Sequence, residues 1–394
     1  MTDPLGQSQV LPYLKGLSQL GYDFHLISYE KSDRYKQHKR HIQSICDEDN
    51  IKWHPQYYAK NKGLKATLKQ VRKLRKVAFY LNEKHDFDIV HCRSYIAALA
   101  GLKMKQKFNS KFVFDMRGFW ADERVDGGLW NLDNKLFKSI YSFFKRKEKQ
   151  FIAQSDYTIS LTENGKNEIK SWATTPTETK IKVIPCCANL ELFDAKTIDT
   201  NAILKQKEAL NIVEDQFVLG YVGSIGTWYM LPEMLDFFVE LQKTKPNVIF
   251  LFVTGESQEH IENEAKLKGI SSESIRVVSV LHKDVPKMIS LMNASVFFIR
   301  PTYSKKASSP TKQGEIMAMG VPLICNSNVG DTDEIVNKYH SGVVVVDFSK
   351  ESYQSALSQL GGFDSNAIIK GAHDYFSLSE GVKRYASVYS EVLE

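Results

Sequence analysis

Apolar runs about as long as a strand alternate along the whole chain with longer segments in which apolar residues recur at helical spacing. Continuous apolar runs are typical of strands that are buried on both faces of a sheet. Their regular alternation with helical segments predicts an α/β protein built on parallel sheets. The predicted strands are residues 24–28, 51–53, 89–91, 112–115, 157–160 and 181–184 in the first half, and 217–222, 248–253, 275–278, 296–299, 322–325 and 342–345 in the second.

The length of the chain and the grouping of these strands predict two domains. A chain of 394 residues is longer than one hydrophobic core usually organises. Each group of strands suits a Rossmann-like sheet, so we predict an N-terminal Rossmann-like domain over 1–195 and a C-terminal one over 196–376. Apolar residues at helical spacing over 377–394 predict a terminal helix.

The start of the chain departs from this pattern. A Rossmann-like half should open with a strand, but the loop DPLGQS at 3–8 comes at once, and a helical spacing of leucines over 11–20 follows it. An absent central strand would leave backbone groups of its neighbours unpaired. Two explanations stay open: the native chain starts upstream of Met1, or the neighbouring strands pair directly.

The segment 308–325 has the pattern of a helix that binds an anion at its start and leads into a buried strand. We expect Ser309 to be the N-cap and Pro310 the first helical residue. Lys312 then falls in the first turn, where the helix dipole disfavours a cation by about 0.3–1 kcal/mol unless an anion is bound. Backbone N–H groups, the dipole and a lysine together predict a phosphate site.

Glu315 shares a helix face with Lys312, so its carboxylate can accept hydrogen bonds from hydroxyls of the same ligand. A phosphate beside vicinal hydroxyls indicates a nucleotide. Gly320 ends the predicted helix, and the apolar residues 321–325 form the strand that follows. The alternative interpretation is an ordinary surface helix with a misplaced lysine.

The net charge of +6 conceals an asymmetry between the two halves. Residues 1–200 contain 34 Lys and Arg against 23 Asp and Glu, whereas residues 201–394 contain 18 against 23. A basic helical pattern begins within 60–65, and a second basic and aromatic cluster lies at 143–147. Such helices suit an anionic membrane surface or an acidic acceptor, or else are solvated helices that pack one face on a sheet. No nucleic-acid module is recognisable.

The cysteines are Cys46, Cys92, Cys186, Cys187 and Cys325, and their spacing is not that of metal ligands. We therefore expect reduced, cytoplasmic thiols and no metal site, with the triplet DTD at 331–333 capping the helix that it precedes. No signal peptide and no apolar run of about 18 residues is present. We expect a cytoplasmic protein whose basic N-terminal domain contacts the inner face of an anionic membrane peripherally.

The segment EIMAMGVPLI at 315–324 resembles the second half of the paired-glutamate motif in the family 4 group of retaining glycosyltransferases, where that glutamate binds the nucleotide ribose. Further motifs extend the resemblance over nearly the whole chain. In order they are DPLGQS at 3–8, DIVHCRS at 88–94, DMRGFW at 115–120, LTE at 161–163, VIPCCAN at 183–189, GYVGS at 220–224 and GDTDEI at 330–335.

The resemblance implies the GT-B fold, in which two Rossmann-like domains face a central cleft and the helix at 377–394 packs back on the N-terminal domain. It also implies transfer, with retention of configuration, from a nucleoside-diphosphate sugar on the C-terminal domain to a glycan or lipid-linked acceptor on the N-terminal one. Cell-surface polysaccharide assembly is the expected setting. No metal or other cofactor is expected, because positive groups and helix ends stabilise the leaving diphosphate.

The site residues that follow fall into three groups. We expect Arg117 and Lys312 to be catalytic, and His91, Arg117, Asp122 and Glu123 to lie on the acceptor side. The expected donor-binding residues are Gly6, Gln7, Gly223, Ser224, Arg300, Ser308, Ser309, Thr311, Lys312 and Glu315.

The chain departs from the family pattern at three places. The first glutamate of the motif is replaced by Ala307, so its sugar contact is absent or is supplied by Ser308 or Ser309. The loop GSIGTW at 223–228 lacks the arginine and lysine that many relatives carry, which leaves Arg300, Lys305, Lys306 and Lys312 to neutralise the diphosphate. Arg117 stands near the position of a histidine in relatives, where a guanidinium could stabilise the departing phosphate or orient the acceptor.

Other functions remain open on the same fold. One is a sugar-nucleotide epimerase or a phosphorylase, the latter usually with a lysine-bound cofactor. Another is a non-catalytic carbohydrate-binding relative, which Ala307 would suit. A dehydrogenase is disfavoured because no G-x-G-x-x-G turn follows a predicted strand.

Overall fold

The computed structural model describes residues 1–58 and 63–394, apart from the side chains at 64 and 65. The strands are β1 (His25–Glu30), β2 (Lys52–Tyr57), β3 (Ile89–Arg93), β4 (Lys111–Asp115), β5 (Tyr157–Ser160), β6 (Ile181–Val183), β7 (Phe217–Val222), β8 (Val248–Val253), β9 (Ile275–Val278), β10 (Ala294–Phe297), β11 (Leu323–Asn326) and β12 (Gly342–Val345). Every predicted strand is present, so the predicted α/β fold is confirmed.

Helices separate the strands throughout. They are α1 (Pro4–Gln9), α2 (Leu11–Ser18), α3 (Ser32–Glu48), α4 (Leu64–His85), α5 (Ser94–Phe108), α6 (Trp120–Asp126), α7 (Lys135–Gln154), α8 (Glu163–Ser171), α9 (Thr200–Ala209), α10 (Leu231–Thr244), α11 (Gln258–Leu267), α12 (Val285–Ile289), α13 (Thr311–Ala318), α14 (Thr332–Lys338), α15 (Lys350–Ser358), α16 (Ser365–Phe376) and α17 (Leu378–Leu393).

The chain divides into two units. The first comprises Met1–Cys186 together with Leu378–Glu394, and the second comprises Cys187–Ser377. The division lies before residue 195, where the sequence placed the boundary. The reason is that the Ala188 N–H donates to the Phe376 carbonyl at 2.9 Å, which ties the segment after Cys186 to the second unit.

The second unit contains a six-stranded parallel sheet in the order β12-β11-β10-β7-β8-β9. All residues of β8 are buried, which is why this strand reads as a continuous apolar run. The chain adds β8 and β9 on one side of β7 and then returns to place β10 on the other side. The order therefore reverses between β7 and β10, and ligands of open α/β sheets bind at the carboxyl ends of the strands at such a point.

The first unit contains two separate parallel sheets, one of β1 and β2 and one in the order β3-β4-β5-β6. The proposed direct pairing of the neighbours of a missing strand is therefore wrong for the described residues. Aromatic rings join the two sheets instead of backbone bonds. The ring of Tyr389 from α17 lies 5.2 Å from that of Tyr22, 6.5 Å from that of Phe24 beside β1, and 5.8 Å from that of His91 in β3, between centroids.

Helix α17 is fastened to the first unit by close packing. A Cβ atom on Gly16 of α2 would lie 2.6 Å from Cγ2 of Val382, so α17 can approach only because this position is a glycine. The rings of Tyr13 and Tyr385 meet edge to face, 5.4 Å apart. The C-terminal helix is thus an integral part of the first unit, although it follows the second unit in the sequence.

Candidate functional site

The carboxyl ends of β7 and β10 lie at the point where the strand order of the second unit reverses. The loops 223–230 and 298–310 follow these strands. Backbone hydrogen bonds hold the two loops together: the Met230 N–H donates to the Phe298 carbonyl at 2.9 Å, and the Arg300 N–H donates to the Trp228 carbonyl at 3.0 Å. Because ligands bind at such a point, the two loops form the candidate site.

Lys312 places a buried amine at this site. It lies in the first turn of α13, and the residue is only 9% exposed. Its Nζ donates to the hydroxyl of Tyr221 at 3.1 Å and lies 3.6 Å from the ring centroid of Tyr229. The structure gives this amine no ion pair within residues 1–58 and 63–394. Burial lowers the pKa of Lys312 to about 7, although the Glu315 carboxylate acts in the opposite direction.

Gly223 and Ser224 follow β7 directly. Gly223 has a φ of 104°, and a Cβ atom on it would lie 3.2 Å from Lys312 Nζ. A glycine at this position therefore permits both the turn and the close approach of the amine. The Ser224 hydroxyl donates to Oε1 of Glu256 at 3.0 Å, so it faces a carboxylate and not the amine of Lys312.

A second lysine lies on the loop that follows β10. Lys305 belongs to the 3₁₀ segment Tyr303–Ala307 and is 6% exposed. Its Nζ lies 3.6 Å from the ring centroid of Trp228. Arg300 and Lys306 on the same loop are exposed. The cations that the sequence assigned to the diphosphate are thus carried by one loop and the helix that follows it.

The start of α13 differs by one position from the prediction. The helix begins at Thr311 with Pro310 at the N-cap, because Pro310 has an extended ψ of 116°. Ser309 is therefore not the N-cap, and no N-cap side chain bonds the helix. Ser308, Ser309 and Thr311 are half-buried around this start. The Gln313 N–H donates to the Pro310 carbonyl at 3.1 Å, within this first turn.

Glu315 faces His282 and not Lys312. Its side chain is 13% exposed, and it accepts a hydrogen bond from Nε2 of His282 at 3.1 Å. That bond raises the pKa of His282. The ring of Phe193 packs against His282 with 5.5 Å between centroids. Ala307, at the position of the first glutamate in the family motif, is buried and offers only a methyl group.

In the first unit, Gly6 and Gln7 do not offer their backbone N–H groups to a ligand. Both residues lie in α1, and both N–H groups donate to the Asp3 carbonyl, at 2.9 Å and 3.3 Å. The predicted donor contact through these N–H groups is therefore wrong for this structure. The reason is that the helix begins at Pro4, so both N–H groups form hydrogen bonds within its first turn.

A buried ionic cluster lies at the carboxyl ends of β3 and β4. Asp115 accepts a hydrogen bond from the Tyr385 hydroxyl at 3.0 Å, and Arg93 Nη1 and His91 Nε2 each lie 3.6 Å from its Oδ2. Burial disfavours the Asp115 carboxylate, but the field of Arg117 and the other partners outweighs it and lowers the pKa to about 2. The ionised carboxylate therefore stabilises the fold above about pH 4, and this stabilisation is lost as the pH falls towards 2.

Two predicted acceptor-side residues belong to this cluster. His91 is held at both ring nitrogens, since its Nδ1 also lies 2.6 Å from the Tyr389 hydroxyl. Arg117 has a φ of 57°, and its Nη2 donates to Sγ of Cys186 at 3.0 Å. A non-glycine residue in that backbone region costs about 1–3 kcal/mol, so surrounding contacts must hold it there. The contacts give His91 a structural role and fix the position of Arg117.

We expect Tyr385→Phe to lower the free energy of unfolding by about 1–3 kcal/mol, because it removes a donor from a buried carboxylate. Oδ1 of Asp115 already lacks a hydrogen-bond partner in the part of the chain that the structure describes. Urea denaturation of the two proteins measures the difference. Tyr35→Phe is the matched control, and equal losses in both variants would contradict the assigned role of the hydroxyl.

Asp122 does not face an acceptor. It is buried, and it accepts hydrogen bonds from the Tyr141 hydroxyl and from Lys145 Nζ, both at 2.8 Å. Lys145 also pairs with the buried Glu148. The predicted acceptor contact of Asp122 is therefore wrong, because α7 packs on α6 and its side chains donate hydrogen bonds to the carboxylate. Glu123 is half-buried, and its contact with the acceptor stays a prediction.

The basic segment of the first unit forms α4. Lys69, Arg72, Lys73, Arg75 and Lys76 are all exposed on this helix. Leu68 and Tyr80 are exposed beside them, at 48% and 55%. The predicted cations at 60 and 62 and the side chain of Lys65 lie outside the described residues. The described part of α4 thus presents cations together with apolar side chains.

Metal sites and membrane spans are the remaining expectations. No group of His, Cys, Asp and Glu that could hold a metal is found among the described residues. Nor does any helix in residues 1–58 and 63–394 combine the length and apolarity needed to cross a bilayer. Asp331 is the N-cap of α14, but its side chain accepts from the Tyr375 hydroxyl at 3.0 Å and does not cap the helix, contrary to expectation.

Several residues of the candidate site were not predicted from the sequence. The amines of Lys305 and Lys312 lie against the aromatic side chains of Trp228, Tyr229 and Tyr221. Glu315 accepts a hydrogen bond from His282. The aromatic pair at 228–229, in a loop where cations were expected, was the available signal. His282 gave none, because 33 residues separate it from Glu315.

Two family sequence models match the chain. The model of Glycosyltransferase Family 4 matches residues 7–192, and the model of Glycosyl transferases group 1 matches residues 203–361. The first match ends and the second begins on either side of the predicted domain boundary. No curated protein sequence matches the chain significantly.

Solved structures share the fold over nearly the whole chain. A glycosyltransferase from Rickettsia africae has a TM-score of 0.70 and 16% identity, and the match covers 99% of this chain and 97% of that one. HepE from Anabaena, in complex with UDP-glucose, has a TM-score of 0.65 and 13% identity, with 93% and 100% covered. The UDP-GlcNAc 2-epimerase from Neisseria meningitidis, bound to UDP-GlcNAc, has a TM-score of 0.56 and 14% identity, with 97% and 96% covered.

Proposed function

Because this chain belongs to the family 4, group 1 glycosyltransferases, we propose that it moves a sugar from a nucleoside-diphosphate sugar to a glycan or lipid-linked acceptor with retention of configuration. The proposed setting is the assembly of a cell-surface polysaccharide. The donor binds to the second unit, at the carboxyl ends of β7 and β10. The observation that carries this proposal is the position of Lys312. Its amine, which is a cation when protonated, is buried at the point where the strand order reverses.

Each group at this site has a role in the proposed reaction. The amines of Lys312 and Lys305 bind the diphosphate and stabilise the negative charge that develops as the bond to the sugar breaks. Arg300, which is exposed on the same loop, adds a third cation. The Glu315 carboxylate accepts hydrogen bonds from the ribose hydroxyls. These cations supply the charge stabilisation, so we propose a reaction that needs no metal.

The first unit is proposed to bind the acceptor. Arg117, held next to the carboxyl end of β4, orients the acceptor or the departing phosphate. The cations of α4 contact an anionic membrane surface or an acidic acceptor. Such a contact suits a lipid-linked substrate, and we propose that the enzyme acts at the cytoplasmic face of the membrane.

A panel of nucleotide sugars tests the donor. We expect one donor to raise the melting temperature, since a ligand at 100 times its Kd stabilises the folded state by about 2.7 kcal/mol. UDP-glucose and UDP-GlcNAc belong in the panel because the similar structures named above hold them. GDP, ADP and CMP sugars complete it.

Analysis of the products then separates the alternatives. Formation of a glycoside with an acceptor supports the transferase. Epimerised donor without an acceptor would instead indicate an epimerase. A thermal shift without consumption of any donor, with acceptors of several classes supplied, would indicate a carbohydrate-binding protein and contradict the proposed activity.

A further inference from the structure

We propose that Trp228 and Tyr229 are positioning residues that hold Lys305 and Lys312 for the diphosphate of the donor. The proposal rests on the proposed function of this site and explains how the chain binds a diphosphate without cations in the loop after β7. The loop contributes two aromatic faces, and the cations reach them from the loop after β10 and from α13.

The geometry of the two pairs is alike. The Nζ of Lys305 and the Nζ of Lys312 each lie 3.6 Å from the centroid of one ring, that of Trp228 and that of Tyr229 respectively. Both lysines are more than nine-tenths buried. A cation over an aromatic face is attracted by the negative face of the ring, and the attraction grows when water is excluded.

The aromatic pair is fixed by the backbone on both sides. The Trp228 carbonyl accepts from the Arg300 N–H at 3.0 Å, and Tyr229 forms an antiparallel bridge with Ile299. The loop that carries the rings is therefore tied to the strand end from which the lysine-bearing loop departs. A shift of either ring would therefore move the aromatic face over which the amine lies.

A ring holds an amine without neutralising it. A carboxylate in the same place would pair with Lys312 and compete with a phosphate, whereas Tyr229 and Tyr221 leave the charge available. A buried lysine without an ion pair is costly to charge, so an arriving diphosphate should be accompanied by a proton. The titratable groups that face this amine are Tyr221 from β7 and Tyr229 from the loop, with Glu315 acting on it from α13 itself.

Proton uptake gives the first test. With a pKa of about 7, Lys312 in the free protein is about one-tenth protonated at pH 8, so binding of a nucleoside diphosphate should take up close to one proton there. Calorimetric titration of UDP, ADP and GDP at pH 8, in buffers of different ionisation enthalpy, measures the uptake. Lys312→Arg is the matched control, because it keeps the charge and should abolish most of the uptake.

Variants of the rings give the second test. Tyr229→Leu and Trp228→Leu should each weaken binding of the nucleoside diphosphate about 10- to 30-fold, which corresponds to the loss of one desolvated cation–ring contact. Tyr229→Phe and Trp228→Phe keep a ring and should stay within about threefold of the wild type. Affinity for the matching nucleoside, which has no phosphate, should be unchanged in all four variants.

The outcomes distinguish this inference from the proposed function. If the wild type binds none of UDP, ADP and GDP, the proposed donor site is wrong and this inference falls with it. If the wild type binds one of them but the leucine variants lose affinity for diphosphate and nucleoside alike, the rings are merely structural and the inference is overturned. An unchanged diphosphate affinity in the leucine variants would overturn it as well.

Discussion

Replacing Glu315 with alanine is expected to lower kcat/KM for the donor about 10- to 100-fold, with little change in the free energy of unfolding. Hydrogen bonds from ribose hydroxyls to a charged carboxylate contribute about 1.5–3 kcal/mol, and 1.4 kcal/mol is a factor of ten. The fold should tolerate the change, because the partner of Glu315 is the half-exposed imidazole of His282.

Lys312→Ala should also reduce transfer strongly, since it removes the buried cation from the diphosphate.

Steady-state kinetics with the donor identified by thermal shift measure both variants. Glu259→Ala is a suitable control, because it removes an exposed carboxylate from α11 in the same unit. Denaturation curves of all three variants show whether the fold is intact. Donor affinity and turnover near those of the wild type, in both Glu315→Ala and Lys312→Ala, would contradict the assignment of the nucleotide site.

Replacing Lys69, Arg72, Lys73 and Lys76 with glutamine is expected to lower the affinity for anionic vesicles about 10³-fold at low salt. Each cation near an anionic surface contributes about 1 kcal/mol. All four are exposed on α4, and no acidic residue occurs between Asp49 and Glu83. Lys65 completes the predicted basic set, but its side chain lies outside the described residues.

Co-sedimentation with vesicles of neutral and anionic lipid measures this affinity. Binding of the wild type should weaken as salt rises, because the screening length falls from about 30 Å at 0.01 M ionic strength to about 8 Å at 0.15 M. Glutamine at Lys205, Lys245, Lys266 and Lys350, all exposed in the second unit, is the control of equal charge. Donor binding should be the same in every variant.

Failure of the wild type to co-sediment with anionic vesicles at low salt would show that the membrane hypothesis is wrong. The basic surface of α4 would then be better explained as a binding surface for an acidic soluble glycan. Loss of binding in the control variant to the same extent would show that net charge, and not α4, determines the affinity.

The strands and their order of appearance could be predicted because the physical cause is local. A strand covered on both faces needs a continuous apolar run, and β8 shows this at every residue. The helix at Thr311–Ala318 was predictable for the same reason, since glycine, proline and apolar spacing act within a few residues. Its exact start was not, because the dihedral angles of Pro310 decide it.

What the sequence could not predict depends on contacts between residues far apart in the chain. Lys312 and Tyr221 are 91 residues apart, and Tyr385 and Asp115 are 270 apart. Asp122 was predicted to face an acceptor, whereas α7 brings Lys145 to it and fills its hydrogen bonds. Composition alone does not show which charged groups find a partner on folding.

The sequence by itself determined the α/β class, the helix at Thr311–Ala318 after β10 and the basic character of the first half. Periodicity, composition and short motifs suffice for these, because each expresses a local preference or a simple sum of charges. Only the tertiary structure decided that β1 and β3 lie in separate sheets and that Trp228 and Tyr229 hold the lysines. Pairing of strands and packing of a cation on a ring require surfaces that exist only after the chain has folded.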